Sequence, residues 1–270
     1  MLVSVIIPAY REGDRIGDTV RAVERALEDR DDLDFEIIVV DDGSPDATAA
    51  RAGEAGARVI RQSENRGKGA ALTAGFREAK GDILVMLDGD VGQSGSEVIR
   101  LLQPVLDGSA DMSIGVLTTR TVGEWGNGEM EEWERDPNTS TPQHPNTPTP
   151  KGQGGFGLVM ALARWGMRRA GCPALRAPLS GQRAMTRALW ERIGRFEPRF
   201  GAEMGLNLDA HVAGSRTVEV ETNIGHRVTG RDWAGFVHRG RQFRDILRAL
   251  FRRRGMLTSG KGERTHSRAL

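Results

Sequence analysis

The fold of this 270-residue chain is decided by one stretch, LVMLDGD at residues 84–90. Its four apolar residues do not alternate with polar ones, which predicts a strand buried on both faces of a parallel sheet. Open α/β sheets bind ligands at the carboxyl ends of such strands. Asp88 and Asp90, separated by one glycine, would suit a hard divalent cation that also contacts phosphate. An ordinary Asp-Gly turn is the alternative, and the stretch alone does not decide between the two.

Three further apolar runs precede this stretch and alternate with helical patterns. Strands are predicted at residues 2–8, 35–40 and 58–60, and helices at residues 14–27, 44–53 and 67–79. The alternation predicts an α/β fold, a Rossmann-like and mostly parallel twisted sheet with helices on both faces. Farther along, a strand is predicted at residues 111–117 and helices at residues 156–169, 184–193 and 242–252.

These patterns divide the chain into four regions. Residues 1–117 form a nucleotide-binding half, and residues 156–240 form the second half of the same domain. Between them, residues 118–155 are rich in Gly, Pro, Thr and Asn and lack apolar periodicity, which predicts a flexible lid or a disordered insert. Residues 241–270 form a basic amphipathic helix and a tail.

Composition argues against several classes of protein. A formal net charge of +1 makes nucleic acid an improbable main partner. The single cysteine, Cys172, excludes an internal disulfide and a Cys-rich zinc site, which fits a reducing compartment. The sequence begins without a leader pattern and has no apolar stretch long enough to span a bilayer. We therefore expect a cytoplasmic protein, with the inner face of the membrane as the alternative location.

Polar groups follow three of the predicted strands, at residues 8–12, 41–44 and 88–90. Because the carboxyl ends of parallel strands meet at one edge of a sheet, we expect these clusters to converge. Asp41 or Asp42 could accept hydrogen bonds from a base or a ribose. Lys68 lies in a glycine-rich turn at a predicted helix N-terminus, which favours anions, although the spacing is not that of a P-loop.

The second half supplies further candidates, each with an alternative. Glu203 could bind acceptor hydroxyls or act as a base, or it could be a helix N-terminal charge. His226 could ligate Mn²⁺, but a single histidine is often structural, and His211 and His238 compete for this role. Arg227 could clamp a phosphorylated acceptor, or it could belong to a solvated basic face.

The last predicted helix carries an apolar stripe flanked by arginines. Such a helix could make a peripheral membrane contact through residues 242–254 on an anionic surface. Packing of the stripe against the rest of the protein is the favoured alternative. The stripe consists of Phe243, Ile246, Leu247, Leu250 and Phe251.

Four segments of the first half resemble the family 2 glycosyltransferases of GT-A fold. They are SVIIPAY at residues 4–10, VVDDGSPDAT at 39–48, NRGKGAAL at 65–72 and DGD at 88–90. The resemblance implies a UDP- or GDP-linked sugar donor and Mn²⁺ or Mg²⁺. It also implies that DGD is the DxD motif, in which Asp90 holds the metal and Asp88 faces the ribose or the donor sugar. The implied donor-binding residues are Pro8, Ala9, Tyr10, Glu12, Asp41, Asp42, Lys68, Asp88 and Gly89.

Segments of the second half, at residues 178–183, 200–209 and 225–227, resemble the glucosyl-3-phosphoglycerate synthase branch. The polyprenyl-phosphate sugar transferases are a more distant resemblance. Gln182, where a glutamate is typical, and the long insert depart from the branch. The resemblance implies that His226 completes the metal site with Asp90. The implied catalytic residues are Asp88, Asp90, Glu203 and Leu179, and the implied acceptor-binding residues are Ser180, Gly181, Gln182, Arg183 and Arg227.

We therefore expect a metal-dependent glycosyltransferase that uses a nucleoside diphosphate sugar. Its acceptor would be a small phosphorylated molecule or a lipid-linked one, and the chain could form a homodimer. The alternative is a sugar-nucleotide-binding protein or a nucleotidyltransferase that performs no glycosyl transfer.

Overall fold

The computed structural model describes residues 1–117, 156–224 and 233–253, without the side chains of residues 156–158, 200 and 233–242. The insert predicted at 118–155, the tail beyond residue 253, and His226 and Arg227 lie outside this part. Seven strands are β1 Leu2–Ala9, β2 Asp34–Asp41, β3 Arg58–Arg61, β4 Ile83–Met86, β5 Met112–Leu117, β6 Arg183–Thr186 and β7 Thr217–Thr222. Eight helices are α1 Ile16–Glu28, α2 Thr48–Glu54, α3 Lys68–Glu78, α4 Val98–Leu106, α5 Phe156–Arg169, α6 Arg187–Ile193, α7 Ala202–Val212 and α8 Trp233–Arg252.

The strands form one sheet in the order β3-β2-β1-β4-β6-β5-β7. All neighbours pair in parallel except β6, which is antiparallel to both β4 and β5. The predicted α/β fold with a mostly parallel sheet is therefore confirmed. The parallel order of β2, β1 and β4 brings the carboxyl ends of these strands to one edge of the sheet. The polar clusters that follow the three strands therefore lie at the same edge.

The central strands are buried on both faces, as their unbroken apolar runs predict. In β4, Val85 packs into one core cluster, whereas Leu84 and Met86 pack into the cluster on the other face. Helices α1 and α4 supply apolar residues to the first cluster, and α3, α6 and α7 to the second. Each central strand thus contributes side chains to the core clusters on both faces of the sheet, because successive side chains point to opposite faces.

Two strands of the second half differ from the sequence prediction. Residues 183–186 form β6, whereas a single helix was predicted at residues 184–193. Only α6 is helical there, and the Thr186 side chain caps it by accepting a hydrogen bond from the backbone N–H of Leu189 at 3.2 Å. The local sequence of β6 has little strand preference, so pairing with β4 and β5 decides its conformation. Strand β7 was not predicted.

Helix α2 begins later than the sequence predicts, at Thr48 instead of near Ser44. The backbone N–H of Ser44 donates to the Asp41 carboxylate at 2.9 Å, and the N–H of Thr48 donates to Asp46 at 3.2 Å. These short-range bonds hold residues 44–47 in a turn, because aspartate side chains compete with helical backbone bonding.

A third core cluster joins α5, α7 and α8. Ile246 and Leu250 of the amphipathic stripe are buried in it, but Phe251 is 68% exposed. The alternative in which the stripe packs against the protein is therefore correct for these two residues. Helix α8 begins at Trp233, so it crosses the boundary predicted at residue 240. No helix among the described residues is long and apolar enough to cross a membrane.

Cys172 lies in this third cluster, and its burial leads to a labelling prediction. Burial raises the pKa of the thiol from an ordinary 9.0 to about 11. At pH 8 the thiolate fraction should therefore be about 100-fold below that of a free cysteine, with a matching fall in the rate of alkylation. Iodoacetamide labelling followed by intact mass should show this slow rate in the native protein and an ordinary rate in urea. Equal rates would contradict the burial of Cys172.

Candidate active site

A cavity of about 460 Å³ opens at the carboxyl ends of β1 and β2. Both halves of the chain contribute to its lining. The first half supplies Pro8, Ala9, Tyr10, Glu12, Asp42, Asn65, Gly67, Lys68 and Ala71, and the second half supplies Arg199, Arg244 and Asp245. Six of the predicted donor-binding residues thus share one cavity, because the parallel strands end at the same edge.

The two adjacent acids after β2 have different surroundings. Asp42 lines the cavity, and its carboxylate accepts backbone N–H bonds from Arg66 at 2.8 Å and Gly67 at 2.7 Å. Burial raises the pKa of Asp42, although these two hydrogen bonds oppose the rise. Asp41 is fully buried and does not line the cavity. Of the two acids, only Asp42 is therefore placed to contact a base or a ribose.

Lys68 lies at the N-terminus of α3 and joins two carboxylates. Its Nζ is 2.6 Å from Asp88 Oδ1 and 2.6 Å from Glu203 Oε1. Burial lowers the pKa of Lys68, but the two carboxylates outweigh burial and the net pKa is raised. The ammonium is therefore charged, and its charge is already compensated within the protein. Glu203 stands in the first turn of α7, so both interpretations of this residue, a site group and a helix N-terminal charge, fit its position.

The loop before β6 closes over Asp88. Gln182 Nε2 donates to Asp88 Oδ2 at 3.1 Å, and Gln182 is fully buried. A Cβ at position 181 would lie 2.5 Å from Asp88 Oδ2 and 2.6 Å from Lys68 Nζ, so only glycine leaves this pair undisturbed. Gly181 and Gln182 therefore support Asp88. This placement corrects the prediction that the Gln182 side chain contacts the acceptor.

Arg183 is also fully buried, which corrects its predicted role in acceptor binding. Its guanidinium donates to the carbonyls of Ser180 and Pro178, both at 2.9 Å, and to Asn207 Oδ1 at 2.6 Å. Burial lowers the pKa of Arg183 to about 10, so the group remains charged at neutral pH. Arg183 therefore shapes the loop at residues 178–182, whereas Ser180 and Leu179 remain half-buried in it.

Thr19 holds the DGD turn and was not singled out from the sequence. Its hydroxyl donates to the carbonyl of Gly89 at 2.9 Å and accepts from the backbone N–H of Gly92, also at 2.9 Å. The residue is fully buried. Thr19 lies on the same face of α1 as Ile16 and Val23, and a polar residue on an apolar face is the signal that could have revealed it.

The metal candidates are described only in part. Asp90 is half-buried at the end of the DGD turn, whereas His226 lies outside the described residues. Among the residues that the structure describes, no three His, Cys, Asp or Glu side chains form a group that could hold a metal ion. Within the protein, Asp88 is bound to Lys68 and Gln182 through its two oxygens.

Comparison with known proteins agrees with this geometry. The family model described as "Glycosyl transferase family 2" matches residues 4–163, which is more than half of the chain. The chain belongs to glycosyl transferase family 2. The family inferred from the four motifs is therefore confirmed, and the matched region contains the DGD turn, Asp42 and Lys68.

Two curated relatives differ in how much of them the chain covers. A glucosyl-3-phosphoglycerate synthase of Mycolicibacterium paratuberculosis is 30% identical over 96% of this chain and 74% of the relative. A dolichol-phosphate mannosyltransferase of Pyrococcus furiosus is 34% identical over 49% of this chain and 36% of the relative. The chain therefore spans about a third of the second relative, and the similarity to the first extends over both halves.

A solved structure has the same fold. The glucosyl-3-phosphoglycerate synthase of Mycobacterium tuberculosis, crystallised with Mn²⁺, uridine diphosphate and glucosyl-3-phosphoglycerate, superposes with a TM-score of 0.63. It is 25% identical, and the alignment covers 93% of this chain and 80% of that chain. The predicted GT-A architecture is therefore confirmed.

Proposed function

We propose that the protein is a metal-dependent glycosyltransferase that moves a sugar from a nucleoside diphosphate sugar to a small phosphorylated acceptor. One observation carries the proposal. The cavity lined by Pro8, Tyr10 and Asp42 is continuous with Lys68, which binds Asp88 at the end of β4. A nucleotide in this cavity would place its phosphates beside the DGD turn, where a sugar would be released. Family membership supports the same chemistry.

The carboxylates of the DGD turn are suitable ligands for a hard divalent cation. Carboxylate oxygen is the ligand that Mg²⁺ and Mn²⁺ prefer, and Asp90 would supply it, with His226 as the second proposed ligand. When bound, Mn²⁺ or Mg²⁺ would neutralise the negative charge that develops on the diphosphate leaving group. The related synthase of M. tuberculosis was crystallised with Mn²⁺ and uridine diphosphate.

The side chains around Asp88 would position the sugar. The Lys68 ammonium binds both Asp88 and Glu203, and Gln182 fixes the second oxygen of Asp88. Such a network keeps both carboxylates oriented before the substrate binds, which lowers the reorganisation needed in the transition state. Glu203 would then accept a hydrogen bond from a sugar or acceptor hydroxyl, and Leu179 would lie near the reacting centre.

A small acceptor is favoured over a lipid-linked one. The synthase similarity extends over 96% of the chain, whereas the dolichol-phosphate relative matches 49%. Helix α8 also buries Ile246 and Leu250 in the protein, which leaves Phe251 as the exposed large apolar residue of its stripe. A lipid-linked acceptor remains the second candidate, supported by this exposed Phe251 among the exposed Arg248 and Arg252.

A panel of donors tests the proposal. We expect UDP- or GDP-sugars to raise the Tm only when Mn²⁺ or Mg²⁺ is present, because metal and diphosphate bind as one unit. Asp90→Ala should abolish the metal-dependent shift, whereas Asp31→Ala, an exposed acid at the opposite end of β2, should keep it. The absence of a metal-dependent shift with every donor would contradict the proposal.

The products separate glycosyl transfer from its alternatives. With a nucleoside diphosphate sugar and a phosphorylated acceptor such as 3-phosphoglycerate, a glycosyltransferase releases a nucleoside diphosphate, whereas a nucleotidyltransferase would transfer the nucleoside monophosphate and release a sugar 1-phosphate. A protein that only binds the sugar nucleotide would release neither. Mass spectrometry of the reaction mixture should show the nucleoside diphosphate, together with an acceptor heavier by one sugar.

A further inference from the structure

The charges around the cavity leave the donor phosphates without an obvious cationic partner in the first half. Lys68, the cation predicted for this purpose, already faces two carboxylates at 2.6 Å. A diphosphate placed there would meet an ammonium whose charge is compensated, next to Asp88. Among the residues that the structure describes, the other cations of the cavity lining are Arg199 and Arg244, both from the second half.

Arg199 has a strained backbone beside the cavity. Its φ is +55°, in the left-handed region that favours glycine, and the residue begins the short 3₁₀ turn Arg199–Gly201. The Arg199 side chain lies over Gly67, where an added Cβ would come within 2.8 Å of Arg199 Cγ. Within the described part of the chain, no salt bridge or hydrogen bond of the Arg199 guanidinium is found. The Arg199 guanidinium does interact electrostatically with Asp42, which lines the same cavity. A strained arginine beside a cavity is typical of a functional position.

Arg244 reaches the cavity from α8. Its Nε and Nη2 are both 3.4 Å from Asp245 Oδ1, which is a long contact for a charged pair. Asp245 is only 5% exposed, and its Oδ2 has no hydrogen-bond partner. The buried carboxylate thus holds one side of a guanidinium that is 52% exposed at the cavity. Arg244 keeps donors for a further ligand, because a guanidinium has five N–H groups.

We propose that Arg199 and Arg244 together bind the phosphates of the sugar-nucleotide donor, as a cationic pair that faces the first half across the cavity. This assignment rests on the proposed function. Guanidinium groups suit the task, because they match phosphate oxygens with paired hydrogen bonds and keep their charge at every relevant pH. A phosphorylated acceptor offers the same chemistry, so the experiment must separate the two sources.

The test compares the binding of UDP with that of uridine, which lacks the two phosphates. Arg199→Gly removes the guanidinium and keeps a residue that accepts a positive φ, and Arg244→Gln removes the second charge. Each variant should bind UDP about 10-fold more weakly by calorimetry, because each loses a charge-assisted contact. Uridine, followed by ligand-observed NMR, should bind equally well to all variants. GDP and guanosine replace this pair if the donor panel favours guanine.

Arg248→Gln is the matched control. Arg248 is on α8, is 64% exposed, and lies 3.9 Å from the same Asp245 carboxylate, but it does not line the cavity. UDP should bind this variant as it binds the unmodified protein. The Tm of Arg199→Gly should stay close to that of the unmodified protein, because the relief of backbone strain offsets the greater freedom of glycine in the unfolded chain. A lower Tm with weakened uridine binding would show a structural role and overturn the proposal.

Two further outcomes separate the proposals. Unchanged UDP affinity in Arg199→Gly and Arg244→Gln would overturn the phosphate assignment, and so would a selective loss of 3-phosphoglycerate binding in the presence of UDP. The second result would place the pair on the acceptor. If neither UDP nor GDP binds the unmodified protein with Mn²⁺, the proposed function itself fails.

Discussion

Replacing Gly181 with alanine is expected to reduce glycosyl transfer by at least about 100-fold, because displacement of catalytic groups by about 1 Å is enough for such a loss. The new methyl group would occupy the space of the Asp88–Lys68 pair, at 2.5 Å from Asp88 Oδ2 and 2.6 Å from Lys68 Nζ. Both atoms are side-chain ends and can move apart. The substitution should therefore disturb the site while changing the free energy of unfolding by less than about 1 kcal/mol.

Steady-state kinetics and urea unfolding of the same variant measure the two effects. Gly53→Ala in α2 is the control, because its added Cβ would meet Val59 Cγ2 at an ordinary 3.8 Å. This control should keep full activity and gain slightly in stability, as alanine favours a helix over glycine. Full activity of Gly181→Ala would mean that the geometry of Asp88 and Lys68 does not limit the reaction.

Replacing Arg183 with methionine is expected to lower the free energy of unfolding by about 4 kcal/mol, because each buried polar atom that loses its donor costs about 1–3 kcal/mol. The Ser180 carbonyl and the side-chain oxygen of Asn207 would lose the Arg183 donor in a buried site, whereas the Pro178 carbonyl would keep the hydrogen bond from Asn207 Nδ2 at 2.7 Å. Methionine fills much of the volume, so the loss reports hydrogen bonds more than a cavity. The loop that carries Gly181 and Gln182 should also lose its shape, and transfer activity with it.

Urea titration followed by circular dichroism would measure this loss, with an unchanged m-value as evidence that unfolding remains two-state. Arg183→Lys is an informative second variant. Lysine keeps the charge but cannot reproduce the forked geometry, so an intermediate loss is expected. If methionine and arginine gave equal stability, Arg183 would not organise the loop, and a direct role at the acceptor would become the better interpretation.

The site depends on both halves of the chain. Lys68 and Asp88 come from α3 and the end of β4, whereas Gln182 and Glu203 come from the loop before β6 and from α7. The antiparallel strand β6 makes this possible, because it pairs directly with β4 and places residues 178–182 beside the DGD turn. A glycosyltransferase needs donor and acceptor to meet, and the fold brings the segments proposed to bind them together at the end of β4.

Several features could be predicted because they are local. Apolar runs without alternation mark strands buried on two faces, and β1, β2 and β4 follow them. Short strands with weak preferences, such as β6, could not be predicted, because their conformation comes from neighbours distant in sequence. For the same reason the sequence left Asp41 and Asp42 as equal candidates, and the structure separates them by burial.

The sequence by itself determined the α/β fold, the family and the edge of the sheet at which Asp42, Lys68 and Asp88 meet. Periodicity and strand-end acids are properties of neighbouring residues, so they can be recognised without coordinates. Only the tertiary structure decided which side chains interact with one another and which line the cavity. It compensates the charge of Lys68 with Glu203, buries Arg183 in a loop, and brings Arg199 and Arg244 to the cavity. Hydrogen bonds and ion pairs depend on distances of a few ångströms between segments far apart in the chain, and those distances exist only after folding.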